Sequence, residues 1–82
     1  MEKIIEDLVA NSIICQYLDV SGDGVHFDLI AVSDQFTDKN MISRHRMIYK
    51  SLGDKMKQEV HALSMKLYTS AEWEKINKDK KS

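Results

Sequence analysis

The chain has 82 residues, room for one compact domain and little else. Its 43% apolar and 30% charged residues are the balance of a globular chain, not of a disordered one. No apolar stretch approaches the roughly 20 residues needed to cross a bilayer, and a net charge of −1 gives no global pull toward nucleic acid, so DNA binding would need a local basic patch.

The one cysteine, Cys15, can make no disulfide within the chain, which fits a reducing compartment. The acidic, amphipathic start Met1–Asp7 lacks the pattern of a secretory signal. The expectation is a soluble, cytoplasmic protein.

Residues 2–11 predict a helix, with Ile4, Ile5, Leu8 and Val9 on one stripe and Glu2, Lys3, Glu6 and Asp7 opposite. Ile13–Val20 predicts a first strand. Ser21-Gly22-Asp23-Gly24 is a turn, because glycine and aspartate tolerate positive φ. In a second strand Val25, Phe27, Leu29 and Ala31 alternate with His26, Asp28, Ile30 and Val32, completing a hairpin.

A polar connection from Ser33 to Asn40 holds one large apolar residue, Phe36. The next helix starts near Met41 behind an Asn40 cap, with Ile42, His45, Ile48, Tyr49, Leu52 and Met56 as its stripe, and Gly53 interrupts it. Val60–Tyr68 predicts a third strand, carrying Leu63, Met65 and Leu67 on one face. Thr69-Ser70-Ala71-Glu72 matches a capping box opening a short last helix, where Trp73 clamps onto the sheet. The order α-β-β-α-β-α predicts an α+β domain over residues 1–77, with a flexible lysine-rich tail at 78–82. A helical crossover makes strands two and three parallel, so the three-stranded sheet is mixed and both of these strands start at one edge.

That edge carries two histidines, His26 and His61, beside the glycine turn. Adjacent strands lie about 4.8 Å apart, close enough for two imidazoles to meet at a metal. The plain alternative is two solvated polar residues. His26 lies opposite Phe27 and Leu29 in parity, whereas His61 shares parity with Leu63 and Met65. Convergence therefore requires an irregular strand start or His61 outside the ladder. Two histidines also leave a coordination sphere half empty, so further ligands would come from elsewhere, such as a second protein.

A second cluster, Arg44-His45-Arg46 followed by Lys50, is either a phosphate-binding helix face or a solvated one with His45 packed between Ile42 and Ile48. Cys15 reads as a small buried hydrophobe. Asp23, Asp28 and Asp34 lack the spacing of a calcium or magnesium site. No nucleophile elbow or phosphate loop is present, and the expectation is a protein that is not an enzyme.

Taken in order, Ser21-Gly22-Asp23-Gly24 with His26-Phe27, Val32-Ser33-Asp34-Gln35-Phe36, Arg44-His45-Arg46-Met47-Ile48-Tyr49, Val60-His61-Ala62-Leu63 and Tyr68-Thr69-Ser70-Ala71-Glu72-Trp73 resemble the BolA family. The resemblance covers residues 20–76 and implies a class II KH-like fold. It also implies a heterodimer with a monothiol glutaredoxin, sharing a [2Fe–2S] cluster whose sulfur ligands are the glutaredoxin cysteine and glutathione. His61 matches the family's histidine ligand near strand three, and His26 matches the second ligand of the histidine subtype. The free protein is then expected to be a monomer or weak homodimer, acting in cluster trafficking or in iron and stress sensing. The Arg44-His45-Arg46 helix resembles the branch proposed to regulate transcription, which implies DNA contacts from Arg44, Arg46 and Lys50. The glycine loop that grips nucleic-acid backbone is absent. Where the family often has glycine two residues after Phe36, this chain has Asp38, leaving the conformation of that loop open.

Overall fold

A computed structural model of the protein describes residues 1–56 and 62–81. The elements are α1 (Glu2–Ser12), β1 (Tyr17–Gly22), β2 (Phe27–Val32), a 3-10 turn at Asp34–Phe36, α2 (Met41–Leu52), a second 3-10 turn at Gly53–Met56, β3 (Leu63–Tyr68) and α3 (Ser70–Lys81). The sheet order is β1-β2-β3. β1 and β2 pair antiparallel from Tyr17↔Val32 to Gly22↔Phe27. β2 and β3 pair parallel from Phe27↔Leu63 to Val32↔Tyr68, as the helical crossover requires.

One sheet face is packed by α1 and α2. Phe27, Leu29 and Ala31 of β2 meet Leu67 of β3, Ile5 and Val9 of α1, and Ile48 and Leu52 of α2, with Ile13 and Phe36 closing the edge. On the other face, Tyr17↔Val32↔Tyr68 form one row across the sheet. Trp73 of α3 stacks on Tyr17 at 5.2 Å between ring centroids and meets Tyr68 at 5.7 Å, and Val32 is buried between the tyrosines. Trp73 is the clamp that the sequence suggested.

Both expected helix caps form. Asn40 accepts the Ser43 amide at 2.9 Å. Thr69 donates its amide to Glu72 at 2.9 Å, and its hydroxyl accepts the Glu72 amide at 3.3 Å.

Several details differ from the sequence reading. Ser21 and Gly22, expected in the turn, pair within β1, whereas Val25 and His26, expected in the second strand, lie in the loop before β2. β1 begins at Tyr17 rather than Ile13, because Ile13 caps α1 and turns into the core, while Ile14 is tied to Gln35 and Ser33. The inward stripe of α2 is Arg44, Ile48 and Leu52; Ile42 and Tyr49 face solvent. The last helix is not short: it runs to Lys81. β3 starts at Leu63; Val60 and His61, expected at its start, lie outside the described residues. Asp38 settles the loop before α2 by adopting φ 64°, the left-handed region that a glycine would take at no cost.

Candidate metal-ligand loop

The hairpin loop between β1 and β2 is built around Asp23. Its Oδ1 accepts the amides of Val25 at 2.9 Å and His26 at 2.8 Å, while its own amide donates to the His26 carbonyl at 3.1 Å. These backbone bonds, that to His26 foremost, hold the Asp23 carboxyl below its usual pKa, so it is ionised at neutral pH. Gly24 turns the chain at φ 94°. Gly22 is required for another reason: a Cβ there would lie 2.6 Å from the Phe27 ring and 2.9 Å from the His26 carbonyl. Phe27 packs over bare backbone, and the loop folds down beside it.

His26 therefore precedes β2 and stands outside the ladder, one of the two conditions on which convergence with His61 would depend. Its side chain is 75% exposed, and Nδ1 lies 3.9 Å from Asp23 Oδ2. The neighbouring Val25 is also exposed. The Phe27↔Leu63 pairing puts the starts of β2 and β3 at the same sheet edge. His61 lies outside the described residues; in the chain it precedes Leu63 by two positions. Among the described residues, no three His, Cys, Asp or Glu side chains group as a metal site, so a metal held by His26 would need ligands from beyond them.

Cys15 belongs to the opposite edge. It precedes Tyr17, about 17 Å along the strand from Gly22. Its half-buried thiol donates to the Ile13 carbonyl at 3.6 Å, and burial pushes its pKa up.

The basic cluster on α2 divides. Arg44, a candidate nucleic-acid contact in the sequence, is turned inward and 7% exposed. Its guanidinium donates to the Lys39 carbonyl, the Leu67 carbonyl and both Glu72 carboxylate oxygens, and lies 5.8 Å from the centre of the Phe36 ring. All of these partners are internal, which corrects its assignment to a DNA-facing surface. Arg46 and Lys50 are exposed. His45 meets Tyr49 edge-on rather than lying in the core.

Asp23 and the Arg44–Glu72 pair went unassigned in the sequence reading. A Gly-Asp-Gly turn signals an aspartate that binds its own loop amides, but its second oxygen can be placed only from coordinates. The ion pair spans 28 residues and leaves no local signal.

The family description "BolA-like protein" matches residues 10–72. The chain is 44% identical over 54 residues to the DNA-binding transcriptional regulator BolA of Escherichia coli (strain K12), an alignment covering 66% of this chain and 51% of that protein. It thus spans about half the length of that relative. It is 35% identical over 75 residues to the acid stress protein IbaG of the same organism, covering 90% of this chain and 89% of that one. The crystal structure of a Bol-like protein from Babesia bovis superposes with a TM-score of 0.82 at 31% identity, over 94% of this chain and 93% of that one. By sequence and by fold, this chain belongs to the BolA family.

Proposed function

We propose that this protein is a non-enzymatic partner of a monothiol glutaredoxin, with which it shares a [2Fe–2S] cluster in cluster trafficking or in iron and stress sensing. The observation that carries this reading is the exposed His26 imidazole, presented on an Asp23-anchored loop at the edge where β2 and β3 both begin. The donor chemistry fits: neutral imidazole suits iron, and a carboxylate beside its other nitrogen is the usual companion of a metal-bound histidine. His26 and His61 are the ligands offered by this chain, and the glutaredoxin cysteine and glutathione provide the sulfur side. When bound, a histidine-ligated cluster has a higher potential than an all-cysteine one, and protonation of the ligand disfavours it. On this reading the protein works in the cytoplasm, as a monomer or weak homodimer before it meets its partner.

The test is anaerobic reconstitution with a monothiol glutaredoxin, glutathione, iron and sulfide, followed by visible CD and size exclusion. A 1:1 complex whose spectrum differs from that of the glutaredoxin alone, and which His26→Ala and His61→Ala each alter, is expected. An unchanged glutaredoxin spectrum without co-elution sinks the reading.

A second reading, a DNA-binding regulator, draws on the name of the E. coli relative and on the exposed Arg46 and Lys50. It cannot use Arg44 as a direct contact. Salt-sensitive binding to duplex DNA that weakens in Arg46→Ala and Lys50→Ala would favour it.

A further inference from the structure

His26 has two ring nitrogens, and only one can face an incoming metal centre while the other carries a proton. The loop distinguishes them. Asp23 fixes the backbone of His26 at both ends, accepting its amide and donating to its carbonyl. The ring then retains only its side-chain torsions. Asp23 Oδ2, not used by either amide, lies 3.9 Å from Nδ1. With a proton on Nδ1, an N–H faces a carboxylate; with the proton on Nε2, a nitrogen lone pair faces the same negative charge. The separation exceeds a hydrogen bond, so in the free chain the preference is electrostatic, and a small side-chain rotation closes the contact once Nε2 is coordinated.

We propose that Asp23 is a positioning residue for His26: it locks the hairpin loop and holds the imidazole as the Nδ1–H tautomer, leaving Nε2 for the metal. The purpose of this arrangement rests on the cluster-sharing reading above, but the tautomer is a property of the free chain and is measured without any cluster.

Two substitutions separate the two tasks of the carboxylate. In Asp23→Asn the side-chain oxygen still accepts the Val25 and His26 amides, which obliges the NH2 group to face Nδ1 and favours the Nε2–H tautomer. Asp23→Ala loses both tasks. The measurement is long-range 15N–1H NMR of the His26 ring in the free, full-length protein at about pH 8.5, where imidazole is neutral. The expected result is an Nδ1–H majority in the wild type and an Nε2–H majority in Asp23→Asn, with the Val25 and His26 amides still protected from exchange. In Asp23→Ala those amides lose protection. In the reconstituted glutaredoxin complex, Asp23→Asn should retain its cluster about 10- to 100-fold less well, the usual effect of removing such a partner. An Nε2–H majority in the wild type, or an unchanged tautomer ratio in Asp23→Asn, overturns the proposal whatever the cluster does. The expected tautomer shift, combined with a cluster spectrum indifferent to His26→Ala, upholds Asp23's hold on the ring and refutes the cluster reading instead.

Discussion

Arg44 on α2 and Glu72 on α3 form a two-point ion pair, Nη1 to Oε1 at 2.7 Å and Nη2 to Oε2 at 3.1 Å. Because Glu72 also accepts the Thr69 amide, one carboxylate both caps α3 and fastens it to α2. The guanidinium meanwhile satisfies the Leu67 carbonyl at the end of β3. Arg44→Ala removes all of these contacts from a buried position and should cost about 2–4 kcal/mol in urea unfolding. Arg44→Lys should recover only part of this, since an ammonium cannot reproduce the planar fork. A loss of less than about 0.5 kcal/mol, the range of an ordinary surface change, would show that the pair is incidental.

The Arg44 guanidinium, and after it the Thr69 amide, hold the Glu72 carboxyl below its usual pKa. A carboxyl with a depressed folded pKa adds stability above its unfolded value, and that contribution fades as pH falls through the folded one. Thermal unfolding from about pH 7 down to pH 3 should therefore show the wild type losing more stability than Glu72→Gln, the two curves converging in acid. Parallel curves would exclude this linkage.

The side chain of His26 is 75% exposed and its ring supports no core contact, so His26→Ala should leave folding stability within about 0.5 kcal/mol of wild type. Its effect should appear in the spectrum of the glutaredoxin complex. A large stability loss would instead assign the ring a structural task.

Gly22→Ala should disturb the loop through packing. The added methyl collides with the Phe27 ring and the His26 carbonyl, costing about 1–3 kcal/mol and displacing the His26 amide resonance. A neutral substitution would mean that Phe27 has room to move.

Asp38 holds a left-handed conformation without glycine's freedom. Asp38→Gly should raise stability by up to about 1 kcal/mol, and Asp38→Ala should lower it, both read from the urea midpoint.

Much of the fold was local and therefore legible. The Asn40 cap and the Thr69–Glu72 box depend on residues within a few positions and form as read, and the expected hairpin forms with its turn shifted, β1 running to Gly22 and β2 starting only at Phe27. Of the candidate site, the shared edge was legible, because a helical crossover forces β2 and β3 to start together; His26 precedes β2 there, and His61 lies outside the described residues. The orientation of Arg44 was not. As a long, charged residue on a helix it suggested solvent, and only the Leu67 carbonyl and Glu72, from 23 and 28 residues away, make its burial favourable.

By itself, then, the sequence determined the element order, the parallel crossover, the helix caps and the hairpin, since periodicity and turn chemistry act over neighbouring residues. Tertiary structure alone decided which face of α2 turns inward and that the Arg44 guanidinium meets the Leu67 carbonyl and Glu72 across the fold. Those outcomes depend on the partners that distant segments bring within a few ångströms, and no short stretch of chain encodes such distances.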